Sequence, residues 1–482
     1  MATDWRPCVV PWQLQAPQFN LKAGNDMGSN PKRIAVIGAG AAGLCAAKHL
    51  IALNQDVTVF ELGSHVGGLW VYENDSGRSP AYRSLHINSE AKVTGYRDFP
   101  LPKDSALFPS HEEIRAYLEA YAERFGVTSR IRFNSKVTAI EPMDAAEDPT
   151  WQVTLDDGSS DVFDQVVVAN GHQAVPTDPP FAKDFTGTYL HSLNYRTPEP
   201  FTGKNVLVIG TGNSGLDIAA DVCTVTKSTT ISARSPVLIM PRMVLGVPLS
   251  RVLAKVERPW VPWLLRRRIR ELVTRLVHGS MEQWGFSTPK IRTHPASHPT
   301  IISQIAWNRI DVRPGVTAVQ GHEVRFADGS SASYDAIIAA TGYEVDLPFL
   351  TDELSPVVGH RIDLYRRMVH PHWKGLYFVG LFDVSGGANI RMMDIQCRWL
   401  AALVQGRIEL PGEDKMRASF QAEQRRMASL YPDKPRYGLE LDPREYGLAL
   451  RADLQNSAPA LASPSEAADL GVPSQESRTP IG

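Results

Sequence analysis

The sequence predicts an α/β protein built on two parallel-sheet units, and two observations carry that prediction. In RIAVIGAGAAGLCAAKHLIALN, from Arg33, a run of β-favouring apolar residues leads into a glycine turn and then into Ala and Leu at helical spacing. The same order recurs in NVLVIGTGNSGLDIAADVC, from Asn205. Both turns have the spacing GxGxxG, with Gly38, Gly40 and Gly43 in the first and Gly210, Gly212 and Gly215 in the second. Glycines there allow a tight turn and close backbone approach, and the following helix N-terminus offers free N–H groups and a positive dipole end to a pyrophosphate. Two Rossmann-like dinucleotide-binding domains follow. Their expected cradle residues are Ala39, Ala41 and Ala42 beside the first glycines, and Asn213, Ser214, Leu216 and Asp217 beside the second.

The strand after the first turn, VTVFE, ends at Glu61, eighteen positions past Gly43. A carboxylate there accepts hydrogen bonds from a ribose 2′-hydroxyl and repels a 2′-phosphate, so FAD or NAD fits this site and NADPH does not. The same count past Gly215 lands on Ala233, followed by Arg234. With no carboxylate to repel it and a guanidinium to pair with it, a 2′-phosphate is welcome, and this site reads as NADPH. A flavin site and a nicotinamide site in one chain make hydride transfer from NADPH to flavin the default chemistry. No CxxC is present to pass the electrons to a disulfide substrate, which excludes a thioredoxin-reductase type of enzyme.

Composition agrees with a large soluble enzyme. The 482 residues suffice for about three folded units, or two large ones. Hydrophobic residues at 43% and charged residues at 21% describe a globular chain able to bury a sizeable core. The 50 Lys+Arg against 52 Asp+Glu leave a net charge of -2, which gives no electrostatic reason to expect a nucleic-acid partner. Cys8, Cys45, Cys223 and Cys397 are too scattered for a disulfide framework, and a reducing, cytoplasmic setting is expected. No HExxH or CxxC grouping is present, so no metal is expected. No apolar run approaches the ~18 residues of a membrane span, and MATDWRPCVVPWQ lacks the pattern of a signal peptide. Residues 1–31 read as an arm. Residues 451–482, rich in Ser, Pro and Ala from Asn456, read as a disordered tail that buries too little apolar surface to offset its ordering entropy.

Further motifs resemble the flavin-containing monooxygenases over roughly residues 32 to 450. Phe185, Gly187, His191 and Tyr195 in FTGTYLHSLNY fit the family fingerprint FxGxxxHxxxY. Related Baeyer–Villiger enzymes end that motif in Trp-Pro, whereas this chain has Tyr195-Arg196, which favours the heteroatom-oxygenating relatives. Other resembling segments are Gly67-Gly68-Leu69-Trp70, the run YRSLHINSEAKVTGYRDFPLP, ATGY with Thr341 and Gly342, and GLYFVG.

The resemblance implies a discontinuous FAD domain, 32–175 plus 334–450, enclosing an NADPH domain at 176–333. The strand YDAIIAATGY, through its Thr341 and Gly342, carries the chain back across. It places Gly68, Leu69, Trp70, Asn88, Ser89, Thr341 and Gly342 at the cofactors and makes Asn88 the catalytic residue. A side-chain amide can donate to a developing peroxide, which suits it to that role. His191 is implied to position rather than to transfer protons.

By the same resemblance, NADPH reduces the flavin, dioxygen adds to give a (4a)-hydroperoxide, and a small-molecule substrate attacks the distal oxygen. N- or S-oxygenation is the first expectation. The alternatives are oxidative decarboxylation of an aromatic 2-oxo acid, Baeyer–Villiger oxidation, and an NADPH oxidase that releases hydrogen peroxide.

The segment from Leu238 to Lys290 resembles an insertion of the plant indole-3-pyruvate monooxygenases and their bacterial relatives, with its Pro-Arg and WGFSTPK. Within it, Leu265, Ile269, Leu272, Val273 and Leu276 have helical spacing, with Arg266, Arg267, Arg268 and Arg270 largely on other faces. The expectation is a helix that packs its apolar side on the domain and leaves its basic side in solvent. A lid over the substrate entrance or a membrane-surface contact are the other readings, and Trp260 and Trp263 suit either.

Overall fold

The computed structural model describes residues 31–144, 148–254, 256, 261–384, 389–432 and 434–457. Residues 1–30 of the expected arm and 458–482 of the expected tail lie outside the described residues, as do Cys8 and Trp260.

Ten strands make the two main sheets: β1 Arg33–Ile37, β2 Asp56–Phe60, β3 Ile131–Arg132, β4 Gln165–Val168, β5 Thr188–His191, β6 Asn205–Ile209, β7 Ser228–Ala233, β8 Ile310–Pro314, β9 Ala336–Ala339 and β10 Leu376–Phe378. The first sheet has the order β10-β4-β1-β2-β3 and the second β8-β7-β6-β9-β5. Every pairing within them is parallel. Parallel strands are covered on both faces, which explains why β1, β4, β6 and β9 read as unbroken apolar runs and not as alternating ones. The helices used below are α1 Ala41–Ile51, α2 His111–Arg124, α3 Asn213–Val222, α4 Trp263–His278, α5 Asn389–Val404, α6 Glu413–Leu430 and α7 Pro443–Asn456.

Because β10 joins the first sheet from beyond the second, one unit is inserted into the other. The boundary expected at 334 separates β9 from the sheet it belongs to, whereas the crossing itself was expected at Thr341 and Gly342. β9 is hydrogen-bonded between β6 and β5, and all four of its residues are fully buried, so it is an interior strand of the second sheet. The chain turns back only at Thr341 and Gly342, whose φ is +98°. Just beyond, Tyr343–Glu344 pairs antiparallel with Val175–Pro176, and Thr341 Oγ1 donates to the Thr177 carbonyl at 2.6 Å. The outgoing and returning crossings therefore lie side by side.

Two further expectations are corrected. α7 extends to Asn456, so residues 451–456 belong to a helix and not to the tail. Asp442 caps its start by accepting from Arg444 N and Glu445 N, and near its end Asp453 is held by Trp399 Nε1 at 2.9 Å and by Arg366. The basic helix α4 is turned the other way: Leu265, Leu272 and Leu276 are exposed, while Arg266 and Thr274 are buried. Polar bonds fix that orientation. Arg267 pairs with Glu271 at 2.6 Å and donates to the carbonyls of Pro289 and Lys290, and Trp284 Nε1 donates to His278 O at 2.6 Å.

The last glycine of each turn is packed so closely that no side chain fits there. A Cβ on Gly43 would lie 1.8 Å from the Gly38 carbonyl oxygen, and one on Gly215 would lie 2.3 Å from that of Gly210. Replacing either glycine with Ala forces its helix off the preceding strand. We expect Gly43→Ala or Gly215→Ala to cost about 1–3 kcal/mol, as overpacking does. Denaturant unfolding checks this, and an unchanged midpoint would reject the close approach.

Candidate active site

α1 starts after Gly40 with no side chain capping it, so the N–H groups of its first turn have no intrahelical partner. The Gly68–Trp70 turn lies against this cradle. Gly67 N donates to Ala39 O at 3.1 Å, and a Cβ on Gly68, whose φ is +57°, would stand 3.0 Å from the Gly40 Cα. Leu69 is exposed there, and Ala42 sits opposite Gly380.

Glu61 closes the far side. Its Oε2 accepts from Ala39 N at 2.7 Å and its Oε1 from Gly63 N at 2.9 Å. Burial raises its carboxyl above the ordinary range, and the N–H groups of Gly63 and Ala39 oppose that rise. Each oxygen keeps a second lone pair for a ribose hydroxyl. Glycines, unspent N–H groups and a 2′-hydroxyl acceptor in one place fit the adenine dinucleotide end of FAD.

The second cradle repeats the plan. α3 starts after Gly212, again uncapped, which leaves the N–H groups of Asn213 and Ser214 for a ligand. Asn213 Oδ1 is used to accept from Ser297 N at 3.1 Å. Leu216 differs from the expectation of a cofactor contact, since its side chain is in the core and its N–H is spent on Gly212 O at 3.1 Å. Arg234 follows β7, exposed, with no ion pair or hydrogen bond of its side chain among the described residues. Its stem is braced by Gly315, where a Cβ would meet the Arg234 Cβ and Cγ at 3.0 Å. A free guanidinium at that strand end fits the 2′-phosphate of NADPH.

Between the cradles runs a half-buried polar network. Asn88 Oδ1 accepts from Arg242 Nη2 at 2.6 Å, and the same Nη2 lies 3.7 Å from Asp217 Oδ1. Asp217 also accepts from Tyr82 Oη at 2.7 Å and faces His298 Nε2 at 3.2 Å. His298 Nδ1 accepts from the N–H groups of Thr300 and Ile301, so the ring proton sits on Nε2 and points at Asp217. Asp217, expected at the cofactor, thus has its carboxylate committed to this network. One turn along α3, Asp221 accepts from Tyr195 Oη at 2.8 Å and Ser84 Oγ at 2.9 Å. Arg196 donates to the carbonyls of Ser79, Ala81, Leu193 and Tyr195. Ser89, next to Asn88, is bonded to Thr94 at 2.8 Å, and the buried Glu90 pairs with Arg251 at 2.7 Å.

His191 is held at the crossing by one ring nitrogen, and its Nε2 is buried without a hydrogen-bond partner among the described residues. Its Nδ1 accepts from Leu193 N at 3.1 Å, its ring meets Tyr343 edge-on at 5.3 Å, and burial lowers its pKa. It braces the crossing.

Sequence reasoning missed the roles of Arg242, Tyr82 and His298. The signal for Arg242 was a Pro-Arg pair in an otherwise apolar run; the other two carried none. Sequence spacing also hid a grouping of Cys45, His49 and Asp394, whose ligand-type atoms lie within 4.8 Å of one another where α1 packs on α5. Burial raises the Asp394 carboxyl, but His49 and Arg398 outweigh it and hold it at about 2, so the cluster works as an internal ion pair.

The chain is similar to known proteins. Residues 31–446 match the flavin-binding monooxygenase-like family. The chain is 30% identical to flavin-containing monooxygenase 5 of Oryctolagus cuniculus over 437 residues, covering 85% of this chain and 80% of that one. It is 29% identical to dimethylaniline monooxygenase (N-oxide-forming) 2 of Mus musculus over 423 residues, 83% of this chain and 78% of that one. Among solved structures, S-allyl-L-cysteine S-oxygenase from Allium sativum is similar with a TM-score of 0.66 and 26% identity, covering 88% of this chain and 89% of that one. The chain belongs to the flavin-binding monooxygenase-like family and is an oxidoreductase that uses FAD and NADPH.

Proposed function

We propose that this monooxygenase oxygenates a soft nitrogen or sulfur atom of a small organic molecule, with dioxygen as co-substrate. The observation that carries the reading is the hydrogen bond from Arg242 to Asn88 Oδ1. It turns the amide oxygen toward Arg242, so the NH2 at the other end of the amide is free to donate. Such a donor stabilises negative charge on oxygen but takes no proton from a substrate. An amine or sulfide suits that site, since its nucleophilic lone pair is already free.

Bound flavin, once reduced by NADPH, supplies the activated oxygen. The residues do the rest. The unit made by 32–175 and the chain beyond 340 holds FAD through its glycine turn and Glu61, and the inserted unit holds NADPH through α3 and Arg234. Arg196 and Asp221 tie the two units together across the junction. The free, buried Cys45, Cys223 and Cys397 support a cytoplasmic setting.

One observation favours a second reading. Arg242 is half-buried and its buried Nε has no partner, so a cation stands beside Asn88 with one donor unused. A carboxylate-bearing substrate, such as an aromatic 2-oxo acid, would use that donor.

Arg234→Ala should weaken NADPH by about 1–3 kcal/mol of charge-assisted pairing, with tenfold in KM for each 1.4 kcal/mol, and leave NADH nearly unchanged. Equal losses for both nucleotides would reject its phosphate role. Turnover under labelled dioxygen tests the reaction itself. A tertiary amine or sulfide should gain one labelled oxygen. Labelled peroxide in place of labelled product would identify an oxidase, and labelled product from 2-oxo acids alone would select the second reading.

A further inference from the structure

The outward face of α4 is the surface that this function leaves unexplained. Leu264 is 63% exposed, Leu265 50%, Leu272 56% and Leu276 77%, while Arg266 and Thr274 on the opposite side are 8% and 2% exposed. At 100° per residue these four leucines fall within one third of the helix circumference, together with Arg268 and Arg275. Both arginines are exposed, and neither has an ion pair or hydrogen bond of its side chain among the described residues. The helix carries five arginines against one glutamate.

This orientation is imposed from within. The fork of Arg267 on the carbonyls of Pro289 and Lys290, and its pairing with Glu271, lock the inner side. That side also buries Arg266 Nε and Thr274 Oγ1 without partners. A helix evolved only to sit in water would gain by rolling its leucines inward and its arginine outward. The same insertion presents a second apolar point. Leu245, 99% exposed at φ +50°, tips the hairpin of Met243–Val244 and Val247–Pro248.

We propose that this face docks on an anionic lipid surface, with the leucines entering the headgroup boundary and Arg268 and Arg275 reaching the phosphates. Leucines flanked by arginines on one arc match an interfacial helix, whose apolar side chains sink while long basic ones stay at headgroup level. No described helix is long and apolar enough to cross a membrane, so the contact is one of lying on the bilayer. Charge selects the occupant. A second copy docking by the same patch would set Arg268 and Arg275 against their own like charges, whereas acidic lipid complements them.

The test is co-sedimentation of the full-length protein with vesicles of phosphatidylcholine, with and without a third of phosphatidylglycerol. We expect at least tenfold more binding to the acidic vesicles, declining as salt screens the arginines. Leu272→Glu with Leu276→Glu should lower that binding at least tenfold, and so should Arg268→Glu with Arg275→Glu. These positions are exposed and distant in role from the cofactor cradles, so both variants should keep wild-type FAD content and circular dichroism. No binding, equal binding to both vesicle types, or binding unchanged in both variants would overturn the proposal. A dimer in lipid-free ultracentrifugation that the leucine variant converts to monomer would overturn it too, by assigning the face to a second copy.

Discussion

Two carboxylates one turn apart on α3 hold the two dinucleotide units to each other. Asp217 takes Tyr82 from the first unit and faces His298 and Arg242 from the second, and Asp221 takes Ser84 and Tyr195. At a spacing of four residues both project from the same side of the helix. The N-terminus of that helix is also the second phosphate cradle. A single rigid element therefore carries both the cradle proposed for NADPH and the carboxylates that set how its unit faces the other.

The insertion completes this joint. Arg242 reaches from it to Asn88 and Asp217, so the amide expected beside the flavin is oriented by a group that also touches the nicotinamide helix. Such buried charge is costly unless its partners are in place, because an unpaired carboxylate away from water is strongly disfavoured. The network therefore favours one relative position of the units over its neighbours. Arg196, clasping four carbonyls where the Baeyer–Villiger relatives have Trp-Pro, adds a second lock close by.

What could be read from the sequence was what depends on local spacing. The glycine turns, Glu61 and Arg234 were legible because a strand, a tight turn and a helix fix their separations within about twenty residues. Arg242 and Asn88 are 154 positions apart, and no periodicity connects them. The Cys45, His49 and Asp394 grouping is hidden for the same reason, since it exists only where α1 packs on α5. β9 was misassigned because a buried parallel strand reads alike in either sheet, and only its pairing with β6 and β5 decides. α4 was turned the wrong way because hydrophobic spacing identifies an apolar face without saying whether it meets the protein or a partner. The composition shift was read at Asn456, the last residue of α7, and the boundary at 451 cut into that helix, whose Asp453 is anchored.

The central claim is that Asp217 holds the nicotinamide unit in the geometry that hydride transfer needs. Anaerobic stopped-flow reduction of the bound flavin by NADPH, comparing wild type with Asp217→Ala, tests it most directly. The account predicts a limiting reduction rate at least tenfold lower, with FAD content and the dissociation constant for NADPH nearly unchanged. A variant that reduces its flavin at the wild-type rate would contradict it.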